Sequence, residues 1–518
     1  MSVRILSIDI GTQSARAIVF DAQGSLLAKA QESFSPTYVS PQPGWAEQDP
    51  ELYWNAVVQC CQRLWRESDI RPQQITALTL TTQRATMICT DAQGRPLRPA
   101  IVWLDQRRCT APPRMSPGWR AAFAVAGATP LIEHMQREAD ANWLAQHEPA
   151  LWRDTARYLF LSGWITQRMV GDFVDSVGCQ VGFVPFDFKR LAWAQPRDFK
   201  WQAVAVRREQ LPRLVQPGAV LGTLTPDAAG ALGLPVGLKL IAAAADKACE
   251  VLGSGALDPD VGQLSFGTTA TINTTQTRYL EVQRMLPPYP AAMPGAWNTE
   301  IQIYRGFWMV SWFKREFAHR EQALAEQRGV AVEQLFDELL REVPPGSMGL
   351  TLQPYWSPGV RDPGPEAKGA IIGFGDVHTR AHLYRAIVEG LVYGLRSGRE
   401  QIERKTGQRL RRLCVSGGGS QSDQAMQITA DVFNLPAERP AVYETSALGA
   451  AINAAVGLGV HADYPTALQA MTRSERCFAP DPDAVKVYDA LYREVYSPMY
   501  GRLKPLYRKI RAITGYPP

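Results

Sequence analysis

Arg4-Ile-Leu-Ser-Ile-Asp-Ile-Gly-Thr-Gln-Ser-Ala-Arg-Ala-Ile-Val-Phe-Asp21 is the stretch that decides the fold. β-branched and apolar residues flank Gly11-Thr12-Gln13-Ser14, so the segment reads as two strands joined by a tight polar turn. Asp21 to Gly24 supplies a second turn and Ser25 to Ala30 a third strand. The start of the chain is therefore a β-meander and not a βαβ unit.

Working outward, residues 50–66 carry apolar side chains at helical spacing (Leu52, Val57, Val58, Cys61, Leu64). Ile75 to Leu80 reads as a strand, Met87 to Thr90 and Ile101 to Trp103 as two more, and helices follow to about residue 170. Lys239 to Ala245 is a buried strand ending at Asp246, with a short helix over 248–257. The pattern then begins again. Leu264-Ser-Phe-Gly-Thr268 echoes Leu6-Ser-Ile-Asp-Ile-Gly-Thr12, which suggests two related domains facing one another. A strand over Leu410 to Ser416, three glycines, a helix over Asp423 to Phe433 and a small-residue helix over Ala447 to Gly457 close the second half.

A chain of 518 residues exceeds one compact core, and two domains of roughly 250 residues are expected. Hydrophobic residues at 46% and charged residues at 20% give an ordinary globular balance. The net charge of +5 is scattered, without the basic stripe that nucleic-acid binding requires. The eight cysteines form no C-x-x-C pair and read as reduced, mostly buried thiols; the six histidines have no zinc spacing. No signal peptide opens the chain and no apolar run reaches the roughly 18 residues of a membrane helix, so the expectation is a cytoplasmic protein without membrane partners.

Five constellations can carry chemistry. Around Asp9, Gly11, Thr12, Gln13, Ser14 and Arg16, a tight turn can point backbone N–H groups at an anion, with Arg16 as a phosphate fork. Asp9 can hold Mg²⁺ through water. An ordinary hairpin turn would look similar. Gly267 and Thr268 form the matching second turn. Gly417, Gly418 and Gly419, between a strand and a helix, let a flat ring or a phosphate approach the backbone. No Lys-Ser/Thr follows them, which excludes a P-loop, and no G-x-G-x-x-G follows the first strand, which argues against a dinucleotide fold. Asp246, at the end of an apolar run, is placed either as a general base or as a helix cap. Gln83, Arg84, Trp103, Asp105 and Arg107 offer an aromatic face with polar neighbours, as an uncharged polyol requires; a surface salt-bridge cluster has the same composition.

Taken in order, these residues resemble the FGGY carbohydrate kinases, over nearly the whole chain. Leu6 to Arg16, Gly44-Trp-Ala-Glu-Gln-Asp-Pro50, Trp103-x-Asp105-x-Arg107, Ala244-Ala-Asp246, Leu264 to Thr268, and the three glycines with Gln427 and Ala430-Asp431 carry the resemblance. It implies an α/β fold of two actin-like (ribonuclease H-like) domains with a catalytic cleft between them, divided as 1–247 and 248–518. It implies ATP and Mg²⁺ as cofactors, a small carbohydrate as substrate and, by analogy with the dimers common in the family, a homodimer. It makes Asp246 the base and, with Asp9, a metal ligand. Gly306, Gly418 and Ser422 would lie near the adenosine.

The chain also departs from the family. Gln83-Arg84-Ala85 replaces the Gln-Arg-Glu of glycerol kinases and the Gln-Met-His of xylulose kinases. Lys247 stands where Asn or Gln usually follows the base, Ser422 where Asn is expected, and Ser357 to Arg361 replaces a Gly-Glu-Arg stretch. Asp246-Lys247 and Val310 to Phe313 are similar to a poorly characterised branch. The leading expectation is ATP-dependent phosphorylation of a ketose, polyol or sugar acid, as in xylulose kinases. The alternatives are an actin-like ATPase acting on a protein partner and a catalytically weak sugar-binding regulator.

Overall fold

The computed structural model describes residues 3–357, 359 and 363–516; Pro358, Val360 and Arg361 of the 357–361 stretch lie outside them. A strand covered on both faces needs a nearly continuous apolar run, and Arg4–Ile10 (β1) is buried from Ile5 onward. It pairs antiparallel with Ser14–Asp21 (β2), which pairs with Leu26–Ser33 (β3), as the meander requires. Helix Pro50–Glu67 (α1) leads to Ala77–Thr82 (β4), which lies parallel to the other edge of β1. Val220–Thr223 (β5) and Lys239–Ala242 (β6) complete a six-stranded sheet of order β5-β6-β4-β1-β2-β3.

Helix Asp246–Gly253 (α2) leads into the second sheet. Its strands are Val261–Phe266 (β7), Ala270–Gln276 (β8), Tyr289–Pro290 (β9) and Trp297–Ile303 (β10). After the long helix Arg380–Thr406 (α3) comes Arg412–Ser416 (β11). Helix Asp423–Phe433 (α4), Ala437–Pro440 (β12), helix Thr445–Gly457 (α5) and Ser474–Phe478 (β13) follow. The order is β9-β10-β8-β7-β11-β12-β13. Leaving out β9, each neighbour relation repeats the first sheet: two antiparallel steps, two parallel, one antiparallel. The Gly-Thr echo is thus the visible trace of a repeated topology.

The two halves meet on small residues. Helix α5, late in the chain, packs on Ile5, Ile18, Phe20, Ala77 and Ile241 of the first sheet, and Ser7 Oγ donates to the Ala447 carbonyl at 2.8 Å. Met87–Thr90, Ala100–Ile101, Arg157–Phe160 and Glu47–Gln48 form a separate four-stranded sheet.

Two expected strands are shorter than the apolar runs suggest. Pairing in β6 stops at Ala242 because the carbonyls and amides beyond it find other partners: Thr81 Oγ1 donates to Ala244 O at 2.8 Å, and Ala245 N–H donates to Gly178 O at 3.1 Å. The strand expected over 101–103 is only Ala100–Ile101, since Val102 N–H turns to Ala46 O. All eight cysteines are unpaired and only Cys477 is exposed. Among the described residues, no helix is long and apolar enough to cross a membrane.

Candidate active site

The apolar segment 240–245 delivers Asp246 to the first position of α2, one residue beyond the cap, which Ala245 occupies without a side-chain bond. The Asp246 carboxylate instead accepts the Lys247 N–H at 2.7 Å, where the helix dipole favours negative charge. Lys247 Nζ donates to Glu250 Oε2 at 2.8 Å and to Ser265 Oγ at 2.7 Å. Ser416 Oγ in turn donates to Glu250 Oε1 at 2.6 Å. A single polar chain therefore ties the start of α2 to the ends of β7 and β11, and Lys247 is its hub. Burial pushes the Asp246 carboxyl above its ordinary value, and Lys247 and Arg84 offset part of that. Burial alone would depress Lys247; Glu250 and Asp246 outweigh it and hold the ammonium charged.

At the first hairpin, Arg16 Nη1 lies 3.0 Å from Asp9 Oδ2 and its Nε lies 3.6 Å from Glu444, which Lys29 also contacts. Burial drives the Asp9 carboxyl up to about 6; Arg16 opposes this, while Asp246 and Glu444 add to it. Asp9 and Asp246 thus share one field although the chain separates them widely. Two such carboxylates form an excess of negative charge that suits a Mg²⁺ ion keeping most of its water. No group of three or more metal-ligating side chains occurs among the described residues. The turn tips are open: Gln13 and Thr268 are exposed, Thr12 and Gly267 partly so, whereas Ser14 is buried. A Cβ at Gly11 would meet nothing closer than Ser14 O at 3.8 Å, leaving room for phosphate oxygens.

The second hairpin is backed by Gly306, whose N–H donates to Thr268 O at 2.8 Å. Gly417 adopts φ 85°, a conformation that favours glycine, and lies against Phe266, which stacks on Phe307 at 4.3 Å. Gly419 also packs there, but a side chain at Gly418 would meet only the Tyr443 hydroxyl, at 3.8 Å. Gly418 therefore presents an open backbone face. Ser422 caps α4, accepting the Ala425 N–H at 3.0 Å, and bonds to Asp337, so its hydroxyl is engaged in fixing that helix.

The residues expected around a sugar separate into two sets. Gln83 Nε2 donates to the Tyr53 hydroxyl at 3.2 Å, leaving its buried Oε1 without a partner. Arg84 precedes Ala85, whose φ of 56° is strained for an alanine. Its Nη2 lies 2.6 Å from Glu300 Oε1 on β10, and its guanidinium sits 4.8 Å over the Tyr289 ring. These residues enclose a space with Lys247, Asn273 and Asn298. Glu300, Tyr289 and the two asparagines were not legible as site residues from the sequence. Asp105 and Arg107 are instead engaged internally. Arg107 bonds Asp105 at 2.7 Å and Glu47 at 2.8 Å and lies over Trp45 and Trp143, at 4.0 and 4.6 Å. Trp103 leaves this cluster and donates from Nε1 to Thr12 Oγ1 at 2.9 Å, at the tip of the first hairpin.

The profile of the FGGY family of carbohydrate kinases, N-terminal domain, matches residues 4–253, and that of its C-terminal domain matches 262–458. The chain belongs to this family. As an FGGY kinase it is a phosphotransferase of carbohydrates, and its repeated sheets are the two-domain actin-like fold. It is 28% identical to the uncharacterized sugar kinase YgcE of Escherichia coli K12, over 95% of this chain and 92% of that one. It is 30% identical to a glycerol kinase of Methylibium petroleiphilum, over 92% and 95%. The crystal structure of a xylulose kinase from Rhodospirillum rubrum superposes with a TM-score of 0.79 at 26% identity, covering 98% of this FGGY kinase and all of the other.

Proposed function

We propose that this kinase transfers the terminal phosphoryl group of ATP to a hydroxyl of a small ketose, polyol or sugar acid, with Asp246 as general base. The observation that carries the reading is that Arg84 and its partner Glu300 line one space with Ala245 and Lys247, the two neighbours of Asp246, while the charge of Asp246 also reaches Asp9 of the first hairpin. In phosphoryl transfer the protein mainly positions groups and stabilises charge, and one carboxylate accepts the hydroxyl proton. Asp246, half-buried and raised in proton affinity, takes that proton from the substrate hydroxyl. Gln83 Oε1 and the free N–H groups of Arg84 orient the sugar, and the polar chain through Lys247 and Glu250 fixes the start of α2, which carries the base. The turns at Gly11-Thr12 and Gly267-Thr268 cradle the phosphates, Trp103 steadies Thr12, and Gly418 receives the adenosine. Mg²⁺, held through water by Asp9 and Asp246, would neutralise charge on the phosphate oxygens. Residues 1–247 supply sugar-binding side chains, the first phosphate hairpin and the base, and residues 248–518 the second phosphate hairpin and the adenosine site.

The test is an ADP-release screen with Mg-ATP over tetritols, pentitols, pentuloses, hexuloses and aldonic acids. At least one compound is expected to raise ADP production about tenfold or more over the sugar-free rate. A rate unchanged across the panel but stimulated by a protein would favour the actin-like ATPase. Sugar-dependent thermal stabilisation without ADP would favour a regulator.

A further inference from the structure

We infer that Glu300 sets the substrate class: by neutralising Arg84 it tunes the sugar site to uncharged ketoses and alditols and against sugar acids. The inference rests on the kinase reading and narrows it.

The argument begins with a count of charges. Every cation that the structure brings to Asp246 already has an acidic partner. Arg16 has Asp9 at 3.0 Å, Lys247 has Glu250 at 2.8 Å and Arg84 has Glu300 at 2.6 Å. Of the protein's own groups Asp246 is the remaining charge, and Mg²⁺ would arrive with the more highly charged ATP, so a carboxylate on the substrate would enter a field that is negative on balance. A hydroxyl has the opposite experience. Among the described residues Arg84 makes one hydrogen bond, through Nη2, so its Nε and Nη1 remain free to donate. Asn273 and Asn298, on the same wall, divide the roles: Asn273 Nδ2 already donates to Gln263 and Thr271 and Asn298 Oδ1 already accepts from Thr275, which leaves Asn273 Oδ1 to accept and Asn298 Nδ2 to donate. Such a set reads neutral vicinal hydroxyls.

Glu300 is placed to act through charge. Its side chain is 3% exposed against 20% for Arg84, so the guanidinium, not the carboxylate, meets a ligand first. The cavity the group encloses is about 10 Å³, at the limit of a single water. A sugar bound there requires this space, between Arg84 of the first half of the chain and the wall formed by Tyr289, Asn298 and Glu300, to widen. Replacing Glu300 frees a bidentate fork suited to carboxylate. Replacing Arg84 leaves Glu300 without its cation.

The experiment compares kcat/KM for an aldonate and for the alditol and ketulose of the same chain length, in the wild type, E300Q and R84Q. The wild type is expected to favour the neutral compounds about tenfold or more, since like charges in close approach are strongly disfavoured. E300Q should raise the aldonate-to-neutral ratio about tenfold, and R84Q should lower it. Shifts of opposite sign are what a merely structural role would not produce, and either variant suffices if the other fails to fold. A wild type that prefers the aldonate overturns the inference, as does a ratio unmoved in both variants. The same ratio read as binding, by thermal-shift titration, decides the matter without turnover. Absence of ADP formation by the wild type with every compound counts against the kinase reading, and a binding ratio unmoved in both variants against this one.

Discussion

Replacing Asp246 by Asn is expected to lower kcat about a thousandfold, the range typical of a lost general base, while ATP still binds nearly as in the wild type. Asn has the same shape, and its Oδ1 can still accept the Lys247 N–H that Asp246 accepts at 2.7 Å. Lys247 keeps Glu250 and Ser265, and Arg84 keeps Glu300, so no buried cation is stranded. The nucleotide turns and Gly418 lie on other segments. What disappears is the proton acceptor. A pH profile gives an independent readout. Burial raises the Asp246 carboxyl above its ordinary value, so the protonated, inactive form persists to a higher pH than for a solvated aspartate near 3.9. The wild-type kcat/KM should rise with pH as this group loses its proton, and the variant should lack that limb. Near wild-type turnover in D246N would remove Asp246 from the mechanism.

Much of the framework is readable from sequence because local physics dictates it. The run Arg4–Ile10 is apolar enough to be a doubly buried strand, and Gly11 to Ser14 can only turn. Gly44 to Pro50 marked the family without a physical reason visible in the sequence, and the structure supplies one. Asp49 caps α1 by accepting the Glu51 N–H at 3.0 Å, and Gln48 Nε2 donates to Pro36 O at 2.8 Å and Thr37 O at 3.0 Å. Glu47 and Trp45 hold Arg107, at 2.8 Å and 4.0 Å. The sequence placed Arg107 and Asp105 in the sugar cluster, because an aromatic with charged neighbours describes both a sugar pocket and a buried cation–π sandwich. Only the partner across the fold distinguishes the two. Glu300 was invisible for the same reason. It sits in an unremarkable strand, and nothing local indicates that it will meet Arg84, which lies 216 positions earlier.

The other large effect is expected far from any ligand, at the crossing of α2 and α5. Gly449→Ala should lower stability by about 2 kcal/mol and melting by roughly 5 °C, and reduce kcat as well. Two effects compete. Ala is a better helix residue than Gly by about 1 kcal/mol. Against that, a Cβ at Gly449 would lie 1.9 Å from the Cys249 carbonyl oxygen, and one at Gly253 would lie 2.0 Å from the Thr445 carbonyl oxygen. Both obstacles are helix backbone, which cannot rotate aside, so the steric cost wins and the helices must part. α5 cannot yield on its other side, where Ile5, Phe20 and Ile241 pack against it and Ser7 holds Ala447 at 2.8 Å. The displacement falls on α2, which begins with Asp246 and carries Lys247 and Glu250. Gly230, in helix Pro226–Leu232, has nothing within 4 Å of its would-be Cβ and isolates the competing effect. Gly230→Ala should stabilise by about 0.5–1 kcal/mol with unchanged kcat. Denaturation midpoints and kcat for the two variants, measured together, check both signs. If Gly449→Ala behaved like Gly230→Ala, the close crossing would not be what fixes the position of Asp246.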